Sequence, residues 1–218
     1  MSIYLLDKNN NTFPDQSRAL KNPNGLLAMG GNLSVDRLIN AYKNGIFPWF
    51  NDGDPFLWWS PDPRGVLLVG DLHIGRSLKR VINKSEFQFK IDSAFDEVIN
   101  QCAAPRGSDD SSWITKEMIA AYNDLHLAGF AHSIECWQGD KMVGGLYGVR
   151  IGKVFFAESM FRVVDNASKM AVYFLHDYML ETDGKLIDIQ IMSPHLKSLG
   201  AIDINRDEFL DMVAKLVN

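Results

Sequence analysis

Three short stretches hold the side chains whose types and spacing could do chemistry. In "GKLIDIQIM" (184–192), residues two apart share a face if the segment is extended, so Ile187, Ile189 and Ile191 line one side and Asp188 and Gln190 the other. An exposed edge strand gives this pattern with its polar face in water; inside a sheet, an Asp–Gln pair needs a task. In "VFFAESMF" (154–161), Glu158 shares parity with Phe156 and Met160 and is expected to project from an otherwise apolar face. There a carboxylate must be paired, protonated or used, unless it reaches solvent at the strand end. In "HIGRSLKRVINK" (73–84), Arg76, Lys79, Arg80 and Lys84 fall at i, i+3, i+4 and i+8, on one broad helical face. Such a face is either simply solvated or matched by phosphates, which would relieve the repulsion among its cations.

Other chemistries find little support. There is no GxSxG, no GxGxxG and no P-loop, so neither that serine nucleophile nor those nucleotide cofactors are expected. The five histidines (73, 126, 132, 176 and 195) lack metal-site spacing, and Cys102 and Cys136 are too far apart for a zinc or redox motif. No metal is expected. Gly144, Gly145, Gly148 and Gly152 interrupt strand-like sequence, which points to bulges or close backbone approach.

The elements that must position these groups read as an α+β chain. Residues 1–62 look like a small, loop-rich N-terminal unit. Within it "SVDRLINAYKNGIF" predicts a helix capped by Ser34 and stopped near Gly45, and "NPNGLLAMGGNL" has the composition of turns. "GIFPWFNDGDPFLWWSPDPRG" (45–65) spends three of the five tryptophans among four prolines, which reads as loop: a plug under a loop, or a platform for something flat. Past a boundary at "PDPRG", residues 63–218 predict a strand at 65–69, the basic helix at 74–82 and a strand at 87–91. Helices follow at 95–102 and 115–128 around the polar loop "APRGSDDSSW". An antiparallel run through "HSIECWQ", "KMVGGLYGVR" and "KVFFAESMF" precedes a long helix at 168–180 and a strand at 185–191. The net charge is −5, which argues against a generic nucleic-acid binder, yet residues 64–90 carry six cations against two anions. No apolar run approaches a membrane span and "MSIYLLDKNNNTFPD" lacks a leader's pattern, so a cytoplasmic location is expected.

"NGLLAMGGNLSVDRLINAYKNGIFPWF", "PFLWWSPDPRGVL", "HSIECWQGDKMVGGLYGV", "FFAESMFRVVDNASKMA" and "KLIDIQIMSPHLKSLGA" together, in this order, resemble the leucyl/phenylalanyl-tRNA–protein transferase family. The resemblance spans about Pro23 to Ala201. It implies a small N-terminal domain followed by a GNAT-like (acyl-CoA N-acyltransferase-like) domain with a mixed central sheet. It also implies an enzyme that moves Leu or Phe, and Met more weakly, from aminoacyl-tRNA to the N-terminal Arg or Lys of acceptor proteins in the N-degron pathway. No cofactor is implied, and the Q/R-x-x-G-x-G/A loop of CoA-dependent relatives is missing. By position, it implies catalytic weight on Glu158, Asp188 and Gln190 and an aminoacyl side-chain pocket at Leu146, Phe155, Met160 and Ile187. Trp49 and Trp113 would hold the terminal adenosine, and the basic helix would meet the acceptor stem. Three positions depart from the family pattern: Ile189 stands where Cys is common, Leu146 where Met is common, and many members extend beyond the point where this sequence stops.

The implied reaction is ester aminolysis. An α-amine with a pKa of roughly 7.7–8.0 is partly neutral near physiological pH, so positioning can supply much of the acceleration. On this expectation Gln190 accepts a hydrogen bond from the attacking amine, Asp188 orients the Gln190 amide, and Glu158 and Asp188 attract the acceptor's cation. Phe47, Phe56, Trp58 and Trp59 are expected to seal the joint between the two units. Two other classes compete: a non-catalytic RNA-binding module using the Trp loop and basic helix, and a CoA-dependent N-acetyltransferase.

Overall fold

Ser34 starts the first helix as its side chain allows, accepting a hydrogen bond from the Arg37 N–H. In the computed structural model, which describes residues 3–84, 86–105 and 113–217, the N-terminal unit holds β1 (Tyr4–Leu6), β2 (Leu26–Gly30), α1 (Val35–Lys43), β3 (Phe47–Pro48) and β4 (Leu57–Trp59). Gly45, at φ +66°, follows the end of α1, where a left-handed residue closes a helix cheaply only as glycine. The four strands form one sheet in the order β1-β2-β4-β3. Two expectations change here. The turn-rich stretch contains β2, and the proline-rich aromatic stretch contains a paired β3 and β4, with Phe47 opposite Trp59 and Pro48 opposite Trp58. Proline survives in β3 because this short strand is the sheet's edge.

The remaining chain builds β5 (Arg64–Leu68), α2 (Arg76–Lys84), β6 (Gln88–Ile91), α3 (Phe95–Ala103), α4 (Lys116–Leu127), β7 (Ala131–Gln138), β8 (Lys141–Ile151) and β9 (Val154–Arg162). After these come α5 (Ala167–Glu181), β10 (Leu186–Gln190), α6 (Pro194–Lys197), β11 (Ile202–Ile204) and α7 (Arg206–Leu216). Most of the polar loop "APRGSDDSSW" lies outside the described residues. Seven strands join in the order β11-β5-β10-β9-β8-β7-β6, antiparallel except for the β10–β9 pair, so the sheet is mixed. That parallel pair is closed by the α5 crossover.

The sheet separates two buried clusters. One face carries α3, α4, α7 and the N-terminal unit around Tyr42, Val98, Tyr122, Tyr147, Phe156 and Phe209; the other carries α2 and α5 around Leu78, Leu146, Phe155, Leu175 and Ile187. The first cluster runs without interruption from the small sheet into the large one. At that joint Phe47 lies against the Arg64 guanidinium, 4.8 Å from its ring centre. The other three rings expected there find ring partners inside the N-terminal unit: Phe56 against Phe50, Trp58 against Phe13 and Trp59 against Trp49.

Candidate active site

Two β-bulges, side by side, build the site. Along the β8–β9 ladder the register passes from Gly148↔Ala157 to Tyr147↔Ser159, leaving Glu158 as the extra residue. Gly148 makes this possible, since a Cβ there would sit 2.3 Å from the Phe156 carbonyl and 2.5 Å from the Phe155 ring. The bulge overturns one expectation: Glu158 keeps parity with Phe156, but Met160 is thrown to the opposite face, because an inserted residue shifts the two-residue period. On β10 the pairing with β5 passes from Asp188↔Val66 to Gln190↔Gly65, leaving Ile189 over. Gln190 adopts φ +62°, an uncommon conformation for a side chain with a Cβ, and the Ile191 N–H closes back on the Ile189 carbonyl at 2.7 Å. The parallel β10–β9 pairing ends at Asp188↔Phe156. Beyond that point side chains, not backbone, join the strands.

The join is Gln190 Nε2 donating to Glu158 Oε1 at 2.8 Å. Tyr42 donates its hydroxyl to the same oxygen at 2.7 Å, and Tyr122 to Oε2 at 2.9 Å. The two phenol oxygens also lie in hydrogen-bond contact, which carries a proton only when the Glu158 carboxyl is itself protonated and donates to one of them. Burial pushes the Glu158 carboxyl up to about 7, opposed by the hydrogen bonds from Tyr42 and Tyr122; nearby Asp188 pushes it further up and the Gln190 amide pulls it back. Burial, and then the Glu158 charge, push the phenols of Tyr42 and Tyr122 well above their ordinary range, so both stay protonated donors.

Asp188 stands differently. Its carboxylate takes a bidentate pair from Arg64, Nε to Oδ1 at 2.8 Å and Nη2 to Oδ2 at 2.7 Å, with both side chains fully buried. Arg64 also donates to the Gly45 carbonyl at 3.1 Å and lies between the rings of Phe47 and Phe209. Asp188 Oδ1 accepts the Gln190 backbone N–H at 2.9 Å. The expectation that Asp188 faces the Gln190 amide is therefore corrected. Because of the bulge, Asp188 fixes the Gln190 main chain while the amide turns to Glu158. Nor is Asp188 free to attract an acceptor's cation, since Arg64 already compensates it. Arg64, counted above with the basic segment, is not part of any exposed positive surface.

Glu158 opens on a small apolar cavity of about 70 Å³. Leu146, Met160 and Ile187 line it together with Leu67, Val172, Leu175, Ile189 and Leu196. Phe155 does not: its ring fills the space under Gly148 and is wholly buried. Trp49 is half-exposed, with its carbonyl held by Trp59 Nε1 at 2.6 Å, and Trp113 packs on the main core before α4. Among the described residues no ring contact joins the two. Arg76, Lys79, Arg80 and Lys84 are all exposed on α2, which is anchored by Leu78; Lys84 reaches Glu86 at 3.5 Å.

Tyr42, Tyr122 and Arg64 are the site residues that sequence reasoning missed. Each meets its partner across more than 30 positions, so no local spacing reports them. Gly148, a glycine inside a strand, was the one local sign of the Glu158 bulge.

Comparison with known proteins places the chain in a family. Residues 66–214 match the family described as leucyl/phenylalanyl-tRNA protein transferase, and residues 31–62 match that family's N-terminal domain. The chain belongs to this family. It is 49% identical to the leucyl/phenylalanyl-tRNA–protein transferase of Shewanella baltica strain OS155, covering 100% of this chain and 92% of that one. It is 50% identical to the enzyme of the same name from Psychromonas ingrahamii, with the same coverage. Among solved structures it is similar to a GCN5-related N-acetyltransferase from Kribbella flavida, at 12% identity and a TM-score of 0.43 over 74% of this chain and 58% of that one.

Proposed function

We infer that this chain is an aminoacyltransferase that moves Leu or Phe from aminoacyl-tRNA to the N-terminus of a protein. We further propose Met as a weaker donor side chain, N-terminal Arg or Lys as the acceptor, N-degron degradation as the outcome and the cytoplasm as the setting, with a working boundary between domains at residue 62. Among the described residues no helix is long and apolar enough to cross a membrane.

The observation that carries the chemistry is the Glu158–Gln190 hydrogen bond, made by a glutamate that also lines an apolar cavity. Donation of Nε2 to Glu158 leaves the Gln190 carbonyl to accept a hydrogen bond from the attacking amine. Glu158, with a pKa of about 7, is matched to an α-amine of roughly 7.7–8.0 and can take the proton that nitrogen loses as the amide forms. The amine attacks the ester carbonyl and the ribose oxygen leaves; that oxygen takes a proton from water, and Glu158 returns the proton it took from nitrogen to solvent. Glu158 is also the carboxylate left to draw in a cationic N-terminal residue. Asp188 and Arg64 are positioning residues, acting through the Gln190 main chain. The cavity walls suit a branched or aromatic side chain, with discrimination among apolar residues of only ~1–3 kcal/mol. In our proposal Trp49 and Trp113 contact the terminal adenosine and α2 meets tRNA backbone.

Labelled Leu-tRNA or acetyl-CoA incubated with an Arg-initiated peptide tests this function. Transfer is expected from the tRNA alone. Retention of RNA without transfer would favour a binding module, and transfer from acetyl-CoA an acetyltransferase.

A further inference from the structure

Beside the apolar cavity lies a second, larger space. It is an open cleft of about 790 Å³ between the end of α3, the end of β9 and the first turn of α5. Met160 lines both, and His195 of the cleft adjoins Leu196 of the cavity. The two spaces are therefore neighbours, close enough for one ligand to span them. Among the described residues that line the cleft, the cationic side chains are Arg162 and Lys169, the one acid is Asp165, and His195 adds an imidazole. Arg162 reaches Asp165 at 3.4 Å, but both are largely exposed, so this pair is weak and exchangeable. Lys169 has no ion-pair partner, and His195 Nε2 has no hydrogen-bond partner, among the described residues. Burial lowers the His195 pKa, and the charges of Lys169 and Arg162 lower it further, so the ring stands as a neutral imidazole beside the two cations. In a chain of net charge −5, such a grouping calls for an anion.

We propose that this cleft is a phosphate subsite for the donor. Arg162 and Lys169 hold the phosphodiester oxygens of the nucleotides next to the terminal adenosine, with His195 as a neutral neighbour, while the aminoacyl side chain occupies the apolar cavity. The proposal rests on the donor being aminoacyl-tRNA. It adds to the α2 cations a second phosphate contact, adjoining the reacting ester. A cationic acceptor N-terminus is the wrong charge for it.

The experiment compares two donors, Leu-tRNA and 3′-leucyl-adenosine, which carries the ester without phosphates. For Arg162→Gln/Lys169→Gln, KM for Leu-tRNA should rise roughly tenfold with kcat little changed. KM for leucyl-adenosine should move less than twofold. The slope of log affinity for Leu-tRNA against log salt should become shallower by about 1.4, as for two lost single-strand phosphate contacts. Lys169→Arg should retain wild-type KM and Lys169→Glu should exceed the Gln effect, which keeps the test readable if the double variant folds poorly. Equal losses with both donors, an unchanged KM for Leu-tRNA, or a rise only in the acceptor peptide's KM would overturn the subsite. Failure of the wild-type chain to transfer from either donor would instead overturn the functional reading beneath it.

Discussion

Glu158 and Asp188 are two acidic groups on neighbouring bulged strands, and the protein treats them in opposite ways. Asp188 is given a full counter-charge and two-point contact by Arg64, and its remaining capacity goes to a backbone N–H. Glu158 is given only neutral donors, two phenols and an amide, and its carboxyl rises to about 7. Neutral donors stabilise the anion without cancelling it, so it can still exchange a proton near neutral pH. A guanidinium makes the anion permanent. The contrast separates a group that reacts from a group that holds.

The sharpest way to break that contrast is Glu158→Gln. It keeps the shape and removes the exchangeable proton, so transfer should fall by roughly 10²–10⁴-fold. Leu-tRNA retention on a filter should stay near wild type. Comparable losses in both assays would mean that Glu158 serves binding, and its distinction from Asp188 would fail.

Next comes the pair. Removing one member of a buried ion pair strands the other, at about 3–5 kcal/mol, so Arg64→Met should lower the urea midpoint markedly. The double variant Arg64→Met/Asp188→Leu should regain most of that stability yet transfer poorly, because nothing then fixes the Gln190 N–H. Recovery of activity along with stability would show that Asp188 does not position Gln190.

These partners also mark what could be read in the sequence. Ser34, the β7–β8–β9 meander, α5 and the three polar positions 158, 188 and 190 were legible because periodicity, caps and turns are local signals. The orientation of those polar groups was not. Strict alternation placed Met160 with Glu158 and the Gln190 amide with Asp188, and each bulge moved the side chain that followed it. Tyr42 lies unremarked inside the predicted first helix and Arg64 counts as one more cation, since nothing local reports a partner 116 or 124 residues away. The strands β2, β3 and β4 hid behind glycine and proline because local propensity weighs less than pairing with a neighbour.

The raised pKa of Glu158 gives a third test, on stability instead of rate. Its folded-state value of about 7 lies above the ordinary 4.5, so between these values the folded chain holds a proton that the unfolded chain has lost. Stability should therefore fall as pH rises across that window, with the whole deficit, on the order of 3 kcal/mol, present above it. Glu158→Gln should be more stable than wild type at pH 8 and lose that advantage by pH 5. Arg64→Met should show no such inversion. Melting curves at the two pH values decide it, and a constant difference between Glu158→Gln and wild type would contradict the neutral-donor account.

The smallest effect probes the donors one at a time. Tyr122→Phe removes the hydrogen bond to Oε2 and leaves Tyr42 and Gln190 on Oε1. A lost hydrogen bond to a charged group weakens the anion by about 1.5 kcal/mol, so the rising limb of the pH–rate profile should move up by about one pH unit. The plateau at high pH should stay close to wild type. Tyr42→Phe should act in the same direction, with an added change because its oxygen also contacts the Tyr122 hydroxyl. A lowered plateau with an unmoved limb would mean that the phenols contact the substrate directly. A moved limb would mean that they set the proton affinity of Glu158, which is the property that distinguishes it from Asp188.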